Sequence, residues 1–303
     1  VTAAAQWLAG ARPRTLPAAV APVLVGSAVA MWEGGAIWGR ALLALVVALS
    51  LQVGVNYAND YSDGIRGTDA RRVGPVRLVG QGLAEPAAVR RAALISFAVA
   101  GAAGLALVVL SQLWWLLAVG AAAIVAAWTY TGGPRPYGYA GLGEVFVFVF
   151  FGLVAVCGTS AVQVGYASAL AWLCGIGVGA LSCAILVANN LRDIPGDTVS
   201  GKRTLAVRIG DRATRQVYSG LVGVGLAVPV ALGIAGALHP ARWPAAGILG
   251  LGAAVPAAAP LKAVHLRASG RDLIAVLVGT GRLLLTYGVL LAVGIGVGAL
   301  RLG

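Results

Sequence analysis

Long apolar segments, separated by short polar connections, follow one another along almost the whole chain. Nine of them are about as long as the roughly 20 residues that a helix needs to cross the hydrocarbon core of a bilayer. They cover about 15–33, 38–58, 92–110, 113–131, 141–161, 167–188, 216–238, 243–263 and 274–300. The pattern predicts an all-α, polytopic membrane protein with nine transmembrane helices.

The order of the segments contains a coarse internal repeat. The second and the sixth segment each end in a cluster of Asn and Asp, and a long basic loop follows each cluster. We therefore expect a single transmembrane domain over 1–303, made of two pseudo-symmetric four-helix halves at about 15–131 and 141–263. A ninth helix at about 274–300 completes it. Related halves of this kind commonly enclose a site where they meet.

The composition supports this class, since 59% of the residues are hydrophobic and 11% are charged, against about 25% charged in soluble domains. The net charge of +12 would also suit a nucleic-acid binder. Its distribution indicates membrane orientation instead, so no nucleic-acid partner is expected.

The basic residues sort to one side when the connections are assigned alternately to the two faces of the membrane. Arg40, Arg242 and Arg301 fall on the other side, and Arg282 lies within the last segment. By the positive-inside rule, the basic side is expected in the cytoplasm together with the N-terminus. It holds 18 of the 22 Lys and Arg: Arg12, Arg14, Arg66, Arg71, Arg72, Arg77, Arg90, Arg91, Arg135, Arg192, Lys202, Arg203, Arg208, Arg212, Arg215, Lys262, Arg267 and Arg271.

Acidic residues are rare but concentrated. Only ten Asp and Glu occur in 303 residues, and five of them lie in or just beyond two short clusters. The first cluster contains Asn56, Asn59, Asp60 and Asp63, with Asp69 just beyond; the second contains Asn189, Asn190, Asp193 and Asp197. A carboxylate at the edge of hydrocarbon is costly unless it is solvated, paired or bound to a cation.

The helical spacing within each cluster predicts a metal site. Asn56, Asp60 and Asp63 are expected to share one helix face, as are Asn189, Asp193 and Asp197, although Pro195-Gly196 is expected to break or distort the last turn. Hard oxygen ligands suit Mg2+, which completes its shell with water and substrate phosphate. The predicted metal ligands are Asp60, Asp63, Asp193 and Asp197. The alternative is that these acids only solvate helix ends or pair with nearby Arg.

Basic residues beside the clusters predict that the metal accompanies a diphosphate. Arg14, Arg66, Arg192, Lys202 and Arg203 are the candidates for neutralising the remaining phosphate charge. The other basic loop residues are interpreted as topology signals or lipid-headgroup contacts. They are Arg71, Arg72, Arg77, Arg90, Arg91, Arg208, Arg212 and Arg215.

The two clusters and their flanks resemble the aspartate motifs of the UbiA superfamily of intramembrane aromatic prenyltransferases. The matching stretches are Asn-Asp-Tyr-Ser-Asp at 59–63 with Gly-Thr-Asp at 67–69, and Asn-Asn-Leu-Arg-Asp-Ile-Pro-Gly-Asp at 189–197 with Gly-Lys-Arg-Thr-Leu-Ala at 201–206. Other stretches are most similar to the branch that prenylates 1,4-dihydroxy-2-naphthoate in menaquinone biosynthesis. They are Ala-Arg-Pro-Arg-Thr-Leu-Pro at 11–17, Asn-Tyr-Ala-Asn-Asp-Tyr at 56–61, Tyr-Thr-Gly-Gly-Pro-Arg-Pro-Tyr at 130–137 and Gly-Leu-Gly-Glu at 141–144.

The resemblance implies an enzyme of the bacterial inner membrane, with its active-site face in the cytoplasm. It implies Mg2+-assisted transfer of the prenyl group of a polyprenyl diphosphate to an aromatic acid, 1,4-dihydroxy-2-naphthoate, with loss of the carboxylate. The product would be demethylmenaquinone, and the partners would be these two substrates and the lipid bilayer. The substrate-binding candidates are Asn56, Asn59, Arg14, Arg66, Arg135, Tyr137, Tyr139, Asn189, Arg192, Lys202 and Arg203.

Aromatic residues and one further acid are candidates for the reacting centre. Tyr57, Tyr61, Tyr130, Tyr137, Tyr139, Phe146 and Phe148 could offer π-faces to an allylic cation, although a tyrosine at a membrane boundary is also an ordinary interfacial anchor. Glu144 could orient the acceptor or act on its hydroxyl proton, and we count it with the catalytic acids Asp60, Asp63, Asp193 and Asp197. Equally, Glu144 could pair with Arg135.

Two alternatives remain open at this point. The first is a prenyltransferase of the same fold with another acceptor, such as 4-hydroxybenzoate or homogentisate. The second belongs to another class, a cation-coupled membrane transporter, since intramembrane carboxylates at a repeat interface also suit ion coupling. The position of the carboxylates near one membrane face, beside basic residues, favours the enzyme.

Overall fold

The computed structural model describes residues 2–67 and 76–300. Asp69, Arg71, Arg72 and Arg301 lie outside the described residues. The described part of the chain contains helices and connections and no β-strand, as the sequence predicts. The helices are α1 (Ala3–Gly10), α2 (Pro17–Trp32), α3 (Trp38–Ile65), α4 (Pro86–Ser111), α5 (Leu116–Thr129), α6 (Gly143–Val164), α7 (Ala169–Val199), α8 (Leu205–Leu238), α9 (Ala245–His265) and α10 (Asp272–Leu300).

All nine predicted segments coincide with helices, but not every one of these helices is long enough to cross a membrane. Seven helices within the described ranges, α3, α4 and α6 to α10, are long and apolar enough to cross a bilayer. The pair Ala3–Thr15 and Pro17–Trp32, bent by 51°, makes an eighth. The 14 residues of α5 extend about 21 Å, which is less than the roughly 30 Å of hydrocarbon. The protein is thus a multi-pass helical membrane protein, while nine crossings and the division into two halves stay predictions.

Three local features differ from the sequence expectation. Helix α1 was not expected, and α3 and α7 continue beyond residues 58 and 188 to Ile65 and Val199. Both acidic clusters therefore lie on helices. Of the expected break or distortion at Pro195-Gly196, the break does not occur, because α7 continues through both residues to Val199. A proline removes one hydrogen bond of the helical ladder, and within a bundle the tertiary contacts on either side can hold the remaining turns.

Two polar clusters mark the two ends of the bundle. At one end the last turns of α3 and α7 come together, which is described below. At the other end Arg40 Nη1 donates to the Val162 carbonyl at 2.7 Å. There Gln163 also accepts a hydrogen bond from the Ile37 amide at 3.0 Å. These contacts tie the start of α3 to the end of α6 and satisfy polar groups that lipid could not.

Glycine contacts set the close crossing of α6 and α7. A Cβ on Gly152 would lie 2.5 Å from Gly179 Cα and 2.7 Å from the Gly175 carbonyl oxygen. Gly152 belongs to a π-helical stretch, Phe148–Val154, within α6. Such stretches are rare and often occur near functional sites. Small residues of this kind let helix backbones approach each other in membranes.

We expect Gly152→Ala to destabilise the protein by about 1–3 kcal/mol. The added methyl group would clash with backbone atoms of α7, which cannot move away by a side-chain rotation. Thermal unfolding of the detergent-solubilised protein measures the effect. Gly223→Ala is the matched control, since its Cβ would meet no atom within 4 Å and an alanine favours helix there. Equal melting temperatures for the two variants would contradict the glycine-mediated crossing.

Candidate active site

A cavity of about 1120 Å³ extends from the cluster end of the bundle into its apolar interior. Its polar head is lined by members of both predicted clusters and by basic residues. They include Asn56, Asn59, Asp63, Arg77, Asn189, Asn190, Arg192, Asp197 and Lys202. Its deeper part is lined by small and apolar residues of α3, α4 and α5, including Val47, Ala48, Leu51, Gly101, Gly104, Ala121 and Ile124. One continuous space thus offers a charged head and an apolar tail.

Lys202 joins the first cluster to the segment that follows the second. Its Nζ lies 3.0 Å from Asp63 Oδ1, and both side chains are buried. The ammonium also lies 4.6 Å from the centre of the Tyr139 ring, and the Tyr139 hydroxyl donates to the Asp63 carboxylate. The Lys202 amide donates to the Asp197 carbonyl at 2.8 Å. The structure therefore brings together residues that are more than 130 positions apart in the chain.

Arg192 organises the second cluster. Its Nε and Nη2 bind the two oxygens of Asp193 at 2.8 and 2.9 Å, and Nη2 also donates to Asn189 Oδ1 at 2.8 Å. The guanidinium is buried, and its Nη1 has no hydrogen-bond partner among the described residues. Because Arg192 lines the cavity, that N–H is available to an anion there. Asp193 itself does not appear in the cavity wall.

Asp60 faces away from the cavity. It is fully buried, and its carboxylate oxygens accept hydrogen bonds from the Leu78 and Val79 amides at 2.8 and 3.0 Å. At about 100° per residue, Asn56 and Asp63 lie about 20° apart around α3, and Asp60 is turned about 60° from Asp63. The expectation that all three share one face is therefore only approximately right. Asn56 and Asp63 line the cavity and Asp60 does not.

The two asparagines of the first cluster fix neighbouring segments. Asn56 Nδ2 donates to the Ala11 carbonyl at 2.9 Å and to Thr15 Oγ1 at 3.1 Å. Asn59 Oδ1 accepts a hydrogen bond from Thr131 Oγ1 at 2.7 Å. These contacts hold the N-terminal segment and the connection after α5 against the end of α3, so three separate parts of the chain form the rim of the cavity.

The remaining basic candidates divide by where their side chains lie. Arg14, Arg66, Arg135 and Arg203 are all exposed, and of these four only Arg14 lines the cavity. Arg66 instead donates to the carbonyls of Thr131 and Gly133 and lies over the Tyr139 ring. Arg203 contributes its amide, which donates to the Tyr139 carbonyl at 3.0 Å. Arg66 and Arg203 thus hold the 131–139 connection in place.

An aromatic wall and Glu144 adjoin the polar head. The Tyr137 ring stacks on Phe146 with centres 3.9 Å apart, and Tyr130 meets Tyr137 edge-on at 5.4 Å; all three line the cavity. Burial raises the pKa of the Tyr137 phenol, so this group stays neutral. Glu144 itself does not line the cavity. Its Oε1 accepts a hydrogen bond from Asn190, which does, at 3.0 Å, and its buried Oε2 has no partner within the described ranges.

The sequence interprets Arg77 as a topology signal or a lipid-headgroup contact, and its burial contradicts the headgroup contact. Its side chain is only 5% exposed and lines the cavity. The sequence does carry a weak signal, since the apolar residues Val76 and Leu78 flank Arg77 on both sides. Asn190, Thr131 and Arg12 also line the cavity without having been proposed as ligands.

Known proteins resemble this chain in both sequence and fold. The model of the UbiA prenyltransferase family matches residues 19–272. A Mycobacterium tuberculosis protein named 1,4-dihydroxy-2-naphthoate octaprenyltransferase is 51% identical over 305 residues, covering 99% of this chain and 98% of its own. The Escherichia coli protein of that name is 41% identical over 239 residues, 77% of each chain.

A solved structure shares the fold at low sequence identity. The UbiA homolog from Archaeoglobus fulgidus, bound to DMAPP and Mg2+, superposes with a TM-score of 0.60 at 12% identity. The superposition covers 95% of this chain and 99% of that one. Family match, sequence identity and fold agree with the motifs that the cavity brings together. This chain belongs to the UbiA prenyltransferase family.

Proposed function

We propose that this protein transfers a polyprenyl group from an allylic diphosphate to 1,4-dihydroxy-2-naphthoate. The ring carboxylate is lost as CO2, diphosphate is released, and the product is the reduced, quinol form of demethylmenaquinone. The observation that carries the proposal is the single cavity with a charged head and an apolar tail, which matches a substrate with a diphosphate at one end and a hydrocarbon chain at the other. The choice of acceptor is supported by the names of the relatives, which match nearly the whole chain.

The basic residues of the polar head are proposed to bind the diphosphate. Arg192 offers its buried Nη1, and Lys202 can turn from Asp63 to a phosphate oxygen. Arg14 and Arg77 complete the basic wall. Positive groups fixed in a site of low dielectric stabilise the charge that develops on a leaving group. These residues therefore favour cleavage of the bond between the allylic carbon and the diphosphate oxygen.

The donor set of the head fits Mg2+ held partly by substrate. Asp63 and Asp197 line the cavity with the amide side chains of Asn59 and Asn189, all hard oxygen donors. No three His, Cys, Asp or Glu within the described ranges form a metal cage by themselves, and Mg2+ is usually bound by one or two carboxylates plus phosphate oxygens. When bound, Mg2+ would neutralise charge on the departing diphosphate. Asp193 is bound to Arg192, and it can join these ligands if it releases Arg192 and binds the metal instead.

The acceptor is proposed to lie against Tyr130, Tyr137 and Phe146. Their faces suit both a flat aromatic ring and an allylic cation, and the apolar walls exclude water that would otherwise capture the cation. Glu144 does not itself line the cavity, but its partner Asn190 does, and we propose that Glu144 accepts a hydroxyl proton of the acceptor. The ring carbon then forms the new bond as the carboxylate departs.

The remaining expectations concern the surroundings of the enzyme. The apolar tail of the cavity lies among helices that are apolar enough for a bilayer, where a polyprenyl chain dissolves. We propose that the protein resides in the bacterial inner membrane. Its polar head and its N-terminus would face the cytoplasm, which supplies Mg2+ and the aromatic acid.

Purified protein should convert geranyl diphosphate and 1,4-dihydroxy-2-naphthoate into a prenylated, decarboxylated product in the presence of Mg2+. Mass spectrometry detects the product, and 4-hydroxybenzoate and homogentisate serve as competing acceptors. Preference for either of these would contradict the proposed acceptor. If no acceptor is prenylated and vesicles that contain the protein show ion-gradient-driven uptake, the protein is a transporter and the proposed enzymatic function is wrong.

Asp63→Asn is expected to lower turnover about a hundredfold or more, because it removes one of the carboxylates proposed to hold the Mg2+ that would neutralise the departing diphosphate. Asp211→Asn is the matched control. Asp211 is an exposed acid that pairs with Arg215 on α8, away from the cavity wall, and its loss should leave turnover unchanged. Similar rates for Asp63→Asn and Asp211→Asn would remove Asp63 from the catalytic site.

Glu144→Gln should reduce kcat/KM for the acceptor about a hundredfold, the usual size of a lost general base, while geranyl diphosphate binding stays unchanged. Steady-state kinetics with each substrate varied in turn separates the two effects. Glu33→Gln, at a partly exposed acid bonded to Tyr166, provides the control. An equal loss of donor affinity in Glu144→Gln would place Glu144 in the diphosphate site instead.

A further inference from the structure

The turn that follows the first cluster is attached to α3 through a carboxylate. Asp60 accepts the Leu78 amide at 2.8 Å and the Val79 amide at 3.0 Å, and no part of its side chain is exposed. The turn is closed by its own hydrogen bonds, in which the Gly82 amide donates to the Val79 carbonyl and the Leu83 amide to the Leu78 carbonyl. The Asp60 carboxylate thus attaches the turn to α3.

Packing on the same face of α3 supports the attachment. Gly64, one helical turn after Asp60, leaves room for the turn, since a Cβ on it would lie 2.4 Å from Val79 Cγ1 and 3.3 Å from the Gly80 amide nitrogen. Leu78 is fully buried, and a Cβ on Gly10 of α1 would lie 2.7 Å from its side chain. The turn is therefore held between α1 and α3 by shape as well as by hydrogen bonds.

The attached turn delivers a cation to the cavity. Arg77 immediately precedes Leu78, is 95% buried and lines the polar head. A long side chain loses about 2 kcal/mol of rotamer entropy when it is fixed, so a rigid attachment of the adjoining backbone favours a defined position for the guanidinium. The position of Arg77 consequently depends on the amide next to it, which Asp60 binds.

The hydrogen bonds also weigh against Asp60 as a metal ligand. Turning its carboxylate towards the cavity would leave the buried Leu78 amide and the partly buried Val79 amide without acceptors, and such a loss costs about 1–3 kcal/mol for a buried group. Asp63, by contrast, already lines the cavity. The two acids of the first cluster can therefore divide their roles.

We propose that Asp60 is a positioning residue that fixes the Leu78–Val79 turn and thereby holds Arg77 where it meets the donor's diphosphate. The second half of this statement rests on the proposed function, and the first half does not. Asp60 then acts on the reaction through Arg77 and leaves metal binding to other acids.

Hydrogen exchange of the substrate-free protein tests the attachment without any activity. In Asp60→Ala, exchange of the Leu78 and Val79 amides should accelerate about tenfold or more. Asp60→Asn, which keeps one acceptor oxygen and nearly the same volume, should give a smaller acceleration. Gly64→Ala should loosen the same turn with every acid intact, and Asp63→Asn is the control that should leave these amides unchanged. Unchanged exchange in both Asp60 variants would overturn the attachment.

Binding measurements test the link to Arg77. Calorimetry with geranyl diphosphate, with Mg2+ and with EDTA, should show weaker binding in Asp60→Asn and Gly64→Ala, and the largest loss in Arg77→Ala. The double variant Asp60→Asn/Arg77→Ala should bind no more weakly than Arg77→Ala alone. The Mg2+ concentration for half-maximal turnover should stay within twofold of wild type in Asp60→Asn.

The outcomes separate the two proposals. A tenfold rise in that Mg2+ concentration, with additive losses in the double variant, would make Asp60 a metal ligand and overturn the positioning role. Failure of the wild-type protein to bind geranyl diphosphate would refute the proposed function and the role of Arg77, while the exchange result alone would still decide the attachment.

Discussion

An ion pair buried at one end of the helix bundle, between Lys202 and Asp63, is the contact on which the site depends. Water does not compensate charges at this depth, and removing one partner of such a pair typically costs about 3–5 kcal/mol. Lys202 therefore requires either Asp63 or an anionic ligand, and Asp63 requires either Lys202 or a bound cation. Because the two residues come from widely separated parts of the chain, their pairing forces the ends of α3 and α7 together.

The other polar contacts build on this junction. Asn59 and Arg66 hold the connection after α5 against α3, Tyr139 reaches back to Asp63, and Asp60 fastens the turn that carries Arg77. Away from the junction, close glycine contacts such as that of Gly152 bring helix backbones together. The result is a charged head enclosed by loops above an apolar cavity, which is the shape that an amphiphilic diphosphate requires.

Sequence reasoning reached the helical class, the positions of the long helices and the two clusters, because apolar length and helical spacing are local properties. It also named Asp63, Arg192 and Lys202 as site candidates, because charged residues next to long apolar segments are unusual. It could not distinguish Asp60 from Asp63, since a rotation of about 60° around the helix axis decides which acid meets the cavity and which meets a turn. Arg66 was expected in the site and lies outside the cavity wall, whereas Arg77 was expected outside the site and lines the cavity. Both positions depend on the path of a loop over the bundle, which tertiary contacts determine and residue spacing does not predict.

The central claim is that the two acidic helix ends form one site that binds a divalent cation together with a diphosphate. Electron paramagnetic resonance of Mn2+, substituted for Mg2+, tests it on the purified protein with an unreactive allylic diphosphate analogue. The account predicts that Mn2+ binds tightly only when the analogue is present, with phosphorus hyperfine coupling, and that Asp63→Asn and Asp197→Asn each weaken this binding. Mn2+ binding that ignores both the analogue and these two substitutions would contradict the account.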